Sequence, residues 1–172
     1  ELITHVNGPR VLTAFTYFAG YAGMADSLWT LDKRSDFLPT NQLKQSVDYE
    51  DMGELYEKLD DLASQIEKEG TNAAKPPLII AFLGNGKTST GAQEIIDRLP
   101  TKEISLAELK ETFEKGSRNF IYKLVLDIPD MYRLKESHRS LHGKLSHKDL
   151  FHLYLQQPEL FESNMDEVYP YC

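Results

Sequence analysis

The residues best placed to do chemistry are Gly84, Asn85, Gly86, Lys87, Thr88 and Ser89, in the stretch LIIAFLGNGKTSTGAQEII (78–96). Glycines between an apolar run and a helical pattern suit phosphate binding, because exposed backbone amides and a helix N-terminus attract an anion. Gly86-Lys87-Thr88 has the ending of a nucleoside-triphosphate loop, but the glycine that must open such a loop is replaced by Ala81, inside the strand. The two-residue lead of Gly84-Asn85 is too short to encircle a phosphate, so the triphosphate reading fails on spacing. A dinucleotide-binding turn requires G-x-G-x-x-G between strand and helix. Gly84 and Gly86 supply its first two glycines, for the tight turn and for close approach of a pyrophosphate. Ser89 holds the third place, and the next glycine is Gly91. Asn85, Lys87, Thr88 and Ser89 would then surround the pyrophosphate. The competing reading is a glycine turn that binds nothing.

In NAD-binding proteins an acidic residue about 20 residues further on, at the end of the next strand, receives the ribose hydroxyls. Glu103 is near that spacing, but Ser105 most naturally ends the strand. A serine there does not repel a 2′-phosphate as a carboxylate would, and Lys87 and Lys102 offer positive charge. The expectation is therefore NADP, with NAD as the alternative, and Ser105 joins the cofactor-binding set. The residues alone identify no catalytic residue and no metal site. His138, His142, His147 and His152 fall in one polar stretch without a nearby cysteine, which reads as a solvated set. Asp60-Asp61 and Glu67-Glu69 read as a solvated helix face.

The elements that must hold the loop follow from periodicity. LIIAFL is a short apolar run, the pattern of a buried strand. GAQEIIDRLP reads as a helix stopped by Pro100, KEIS (102–105) as a second strand, and NFIYKLVLD (119–127) as a third. Ser105 with Glu108, and Ser146 with Asp149, form capping boxes for two further helices. Upstream, PRVLTAFTYFAGYAGMADSLW (9–29) predicts a helix opening at Pro9 after Gly8. Its Ala19, Gly20, Ala22 and Gly23 make sense where a second backbone comes close. Residues 30–49 read as loop. Met52, Leu55, Leu59, Leu62 and Ile66 mark one stripe of an amphipathic helix over 51–69 that ends at Gly70. The fold class expected is α/β: a partial Rossmann-like parallel sheet with flanking helices, half of a doubly wound sheet, preceded by a linking helix. The segments are a helical part, 1–75, and an incomplete nucleotide-binding domain, 76–172.

The 172 residues have the apolar and charged balance of an ordinary globular protein and a net charge of −8. That charge argues against nucleic-acid binding, and no apolar run is long enough to span a membrane. ELITHVNGPR lacks the pattern of a signal peptide and an initiator Met, so the chain reads as cut from something longer. The single cysteine, Cys172, fits a reducing compartment.

Two blocks carry a family resemblance. Arg10, Val11, Ala14, Phe15, Ala19, Gly20, Ala22, Gly23 and Met24 match an R-V-x-x-A-F-x-x-x-A-G-x-A-G-M helix. Gly84, Gly86, Ser89, Gly91, Ala92, Gln93 and Ile95 match a G-x-G-x-x-S-x-G-A-Q-x-I turn and helix, followed by Leu99-Pro100. In order and separation both resemble lysine-ketoglutarate reductase, the first half of the bifunctional aminoadipic semialdehyde synthase (lysine-ketoglutarate reductase/saccharopine dehydrogenase). In that family Ser89 and Gly91 stand at the ordinary spacing. Thr16 and Lys87 depart from its pattern, and region 30–75 matches poorly. The resemblance implies an alanine dehydrogenase-like architecture and NADPH-dependent condensation of lysine with 2-oxoglutarate to saccharopine. By the same resemblance, the proton-handling lysine and histidine lie in an N-terminal domain that would contact lysine, 2-oxoglutarate and saccharopine. This portion alone is then expected to be inactive, in a protein of the mitochondrial matrix, with the cytoplasm as alternative, and a homo-oligomer is compatible. Two other readings stay open: a non-catalytic Rossmann-like regulatory or interaction domain, and an alanine-dehydrogenase-like amino-acid oxidoreductase.

Overall fold

The computed structural model describes residues 15–40, 42–141 and 144–172. Gly8, Pro9, Arg10, Val11 and Ala14 of the expected linking helix, and His142, lie outside the described residues. The architecture is α/β, with a three-stranded parallel sheet flanked by helices. Its strands are β1 (Ile79–Leu83), β2 (Thr101–Ile104) and β3 (Ile121–Leu126), in the spatial order β1–β3–β2. β3 pairs with β1 from Ile79↔Tyr122 to Leu83↔Leu126, and with β2 from Thr101↔Ile121 to Ile104↔Leu124.

That order departs from a doubly wound half, where the second strand lies beside the first. Burial follows the order. β3, IYKLVL, is buried along nearly its whole length, as a strand covered on both faces must be. β2, TKEI, buries only Ile104 and tolerates an edge. Lys123 interrupts the apolar run of β3 and is 8% exposed. Its ammonium meets Asp97 Oδ1 at 2.9 Å and Glu103 Oε2 at 3.6 Å, so the buried charge is paired. Glu103 thus faces a lysine across the sheet.

Helix α1 (Phe15–Arg34) runs five residues beyond the expected end at 29. No glycine or proline interrupts it there, and Lys33 and Arg34 complement the helix dipole in its last turn. Asp32 is buried near that end. Its carboxylate accepts the Leu43 amide at 3.1 Å and pairs with Lys33 at 3.2 Å, fastening the return segment to the helix. Helix α2 (Met52–Glu69) is capped by Asp51, whose carboxylate accepts the Glu54 amide at 3.0 Å, and ends at Gly70. Leu55, Leu59, Leu62 and Ile66 are its buried stripe, each side chain contributing about 2 kcal/mol by removal from water. Met52, counted in that stripe from its spacing, is 40% exposed because it occupies the first turn.

Helix α3 (Lys87–Ile96) begins four residues earlier than the GAQEIIDRLP reading placed it, which shortens the glycine turn to Gly84-Asn85-Gly86. Helix α4 (Leu109–Lys115) follows a 3-10 turn at Leu106–Glu108, where Ser105 and Glu108 form the expected capping box. After β3 come helix α5 (Ile128–Met131), strand β4 (Tyr132–Leu134), helix α6 (His147–Gln156) and strand β5 (Phe161–Ser163). Ser146 and Asp149 cap α6 as the sequence indicated. The antiparallel β4–β5 pair was not foreseen, because three residues per strand are too few to show a period of two. It is held across the pair by Arg133 Nε to Glu162 Oε1 at 2.9 Å.

Helices α1, α2 and α3 form one core with one face of the sheet, joining Leu28, Leu59, Ile66, Phe82, Ile95 and Ile121. On the other face Ile79, Leu109, Leu124, Met165 and Val168 form a second core. The first core crosses the connector between the segments 1–75 and 76–172.

The tightest approach is between α1 and α3. A Cβ on Gly20 would lie 1.9 Å from the Thr88 carbonyl oxygen, and one on Gly91 would lie 2.2 Å from that of Tyr17. Both obstacles are backbone. Gly20→Ala or Gly91→Ala should each lower stability by about 1–3 kcal/mol through overpacking. Gly23→Ala, whose Cβ meets nothing within 4 Å, should leave the melting temperature unchanged or raise it slightly. Thermal unfolding of the three variants checks this.

Candidate functional site

The carboxyl end of β1 delivers the chain into the glycine turn. Gly84 has φ +101°, a conformation that side chains resist, and its amide donates to the Leu126 carbonyl at 2.7 Å. This bond ties the turn to the end of β3. Gly86, at φ −84° and ψ 179°, is extended and any residue could adopt its conformation. What it offers is space: a Cβ built on Gly84 or Gly86 meets nothing within 4 Å. Gly86 occupies the N-cap of α3 and brings no capping side chain, so the first-turn amides of α3 lack an internal acceptor. Lys87 and Thr88 are exposed in that turn. An open glycine surface in front of an uncapped helix of ten residues fits a pyrophosphate group.

The side chains of the turn are partly fixed. Gln93 Nε2 donates to Ser89 Oγ at 3.1 Å and to Asn85 Oδ1 at 3.5 Å. Thr90 Oγ1 donates back to the Gly86 carbonyl at 3.1 Å. Beside the turn, Ala19, Gly20, Ala81, Leu83, Thr88 and Ser89 line a largely apolar cavity of about 520 Å³ between α1, β1 and α3. The Tyr21 hydroxyl donates to the Glu94 carboxylate, locking α1 to α3 behind it. That bond raises the Tyr21 hydroxyl well above its ordinary range. Hydrogen bonds from Tyr17 and Tyr21 hold the Glu94 carboxyl below its ordinary value.

The structure thus brings together Gly84, Asn85, Gly86, Lys87, Thr88 and Ser89. It does not bring Ser105 to them. Ser105 ends β2, the far edge strand, roughly 10 Å from β1 by strand spacing, and its hydroxyl is engaged with Glu108 at 2.6 Å. The residue that follows the strand beside β1 is Asp127, which the spacing rule missed because it counts to the second strand in sequence and not to the neighbour in space. Gly91 lies outside the turn. It faces the backbone of α1, so the displaced glycine of the pattern is a helix-crossing residue. Among the described residues no three His, Cys, Asp or Glu side chains converge to hold a metal ion.

The chain is 32% identical over 155 residues to alpha-aminoadipic semialdehyde synthase of Arabidopsis thaliana, covering 81% of this chain and 14% of that protein. Its similarity is to alpha-aminoadipic semialdehyde synthases. The mitochondrial alpha-aminoadipic semialdehyde synthases of Rattus norvegicus and Bos taurus are 28% and 29% identical over 130 residues, each covering 73% of this chain and 14% of the relative. No protein-family model matches. The chain therefore spans about a seventh of the length of the curated alpha-aminoadipic semialdehyde synthases that it matches, members of a family of lysine-degradation enzymes. Among the described residues no helix is long and apolar enough to cross a membrane.

Because Glu94 has a depressed folded-state pKa, its contribution to stability is present above the ordinary carboxyl value of 4.5 and is lost as pH falls through the lower folded value. Glu94→Gln should melt below the wild type at neutral pH, and the difference should shrink as pH drops under 4.5. Melting curves across that range measure it.

Proposed function

We propose that this chain is the nucleotide-binding portion of a lysine-ketoglutarate reductase, binding a nicotinamide dinucleotide, NADP or NAD, at the turn Gly84-Asn85-Gly86. The observation that carries the reading is that turn: a left-handed Gly84 followed by an open Gly86 at the uncapped start of α3, in a chain related to enzymes of lysine degradation. The dinucleotide supplies hydride for reduction of the condensation product of lysine and 2-oxoglutarate, giving saccharopine. The first-turn amides of α3 receive the pyrophosphate, and Lys87, Thr88 and Ser89 add one cation and two hydroxyls. Asn85 and Gln93 hold the turn in its open shape.

The largely apolar groove between α1, β1 and α3 lies beside the turn and offers a surface for an apolar part of the dinucleotide. Groups that condense the substrates and move their protons belong to other parts of the full-length protein, so this portion alone binds without turnover. Among the described residues nothing in the site assigns a catalytic role. The full-length protein acts in the mitochondrial matrix, a reading supported by the names of the animal relatives.

The test uses the full-length protein with lysine and 2-oxoglutarate, following dinucleotide oxidation and saccharopine formation. Gly86→Val puts a branched side chain where the pyrophosphate must lie. It meets no protein atom at Cβ, so the fold should survive, with a loss of about 1 kcal/mol at the N-cap. Dinucleotide binding and turnover should both disappear while the melting temperature falls by only a few degrees. Retained affinity in this variant would place the site elsewhere.

A further inference from the structure

The groove beside the glycine turn is uncharged. It takes up about 520 Å³ between α1, β1 and α3, and among the described residues that line it there is no Asp, Glu, Lys or Arg. It is continuous with the turn, because Thr88 and Ser89 belong to both. β3 lies on the other side of β1 and does not line it. A dinucleotide whose pyrophosphate rests on the turn sends one nucleoside toward the neighbouring strand and the other away from it. The groove is on that second side. We infer that it receives the nicotinamide ring and, being uncharged, holds the neutral reduced dinucleotide more tightly than the cationic oxidised one. The inference rests on the dinucleotide reading of the glycine turn.

β1 and α1 each offer something to that ring. Backbone groups along a parallel strand face its two sides in alternation. The Tyr122 amide donates to the Leu78 carbonyl at 2.9 Å, and the Gly84 amide to the Leu126 carbonyl at 2.7 Å, so the even-numbered groups here face β3. The amide and carbonyl of Ala81 therefore face the open edge of the sheet, beside the groove that Ala81 lines. A carboxamide brings both donor and acceptor and matches that pair. On the helix side, Ala19 and Gly23 are exposed about one turn apart and present at most a methyl group, which admits a flat ring close to α1.

The charge of the ring sets the preference. Oxidised nicotinamide is a pyridinium cation, and reduction makes it neutral while leaving the pyrophosphate unchanged. Moving the cation from water to an apolar groove without a carboxylate costs free energy that the neutral ring does not incur. The first-turn amides of α3, partly positive, lie at one end of the groove and add to that cost. Acidic side chains of the flanking helices are engaged elsewhere: Glu94 accepts the Tyr21 hydroxyl, and Asp26 accepts the Ser46 amide at 2.6 Å. A site that holds the reduced form and releases the oxidised one suits delivery of hydride.

The experiment titrates the full-length protein calorimetrically with the reduced and oxidised forms of NAD and of NADP, with thermal stabilisation as a second readout. For whichever dinucleotide binds better, the reduced form should bind roughly tenfold tighter than the oxidised one. Gly23→Asp puts a carboxylate at the groove from a position whose Cβ meets nothing within 4 Å. It should lower that ratio about threefold, the scale of a solvent-touching ion pair. Ala19→Asp repeats the test from the other exposed position, and Gly23→Asn, similar in size without the charge, should not lower the ratio. Equal affinity of the wild type for the two redox forms would overturn the inference whether or not an aspartate variant folds. A ratio unmoved by both carboxylates in folded variants would overturn it too, and either result leaves the reading of the turn standing. Failure of the wild type to bind any of the four forms, with Gly86→Val indistinguishable from it, would instead overturn the reading of the turn and the inference with it.

Discussion

The contact between α1 and α3 at Gly20 and Gly91 is the constraint on which the rest of the structure depends. Two helix backbones approach closely enough that neither position admits even a methyl group. Tyr21 and Glu94 close the same interface with a charge-assisted hydrogen bond. Since α3 starts in the glycine turn and α1 lies across it, this contact sets the direction in which the first amides of α3 point. It also forms two walls of the apolar cavity beside the turn. Small residues at a helix crossing, which would weaken an isolated helix, are here the condition for placing the N-terminal end of α3.

The sheet imposes the second constraint. β3 is the most buried of the three strands and takes the centre, with β1 on one side and β2 on the other. Lys123 is tolerated within it because Asp97 and Glu103 supply two carboxylates, one from the end of α3 and one from β2. Those ion pairs link the edge strand, the central strand and α3. The order also determines which residue follows the strand beside the glycine turn.

Relatedness to alpha-aminoadipic semialdehyde synthases and the geometry of the turn support the same reading from independent directions. The relatives are alpha-aminoadipic semialdehyde synthases, of which the chain spans a small part. The turn offers an open glycine surface, uncapped amides and one lysine, which is a means of binding and not of catalysis.

Much of the fold was legible in the residues, for reasons that are local. The apolar run 78–83, the stripe Leu55, Leu59, Leu62 and Ile66, and the capping boxes at Ser105–Glu108 and Ser146–Asp149 depend on neighbours within one or two turns. Each appears where periodicity and capping put it. The glycine turn was legible because Gly84 and Gly86 directly follow a strand. The length of α1, the β4–β5 pair and the spatial order of the strands were not legible, since each is decided by what a segment packs against. Asp32 is buried by a return segment eleven residues away in sequence, and β4 meets its partner across the whole of α6. Sequence alone therefore determined the elements and the glycine turn. Tertiary structure decided that Gly91 serves a helix crossing, that Ser105 stands apart, and that Asp127 stands beside Gly84, because strand adjacency follows from burial and not from order along the chain.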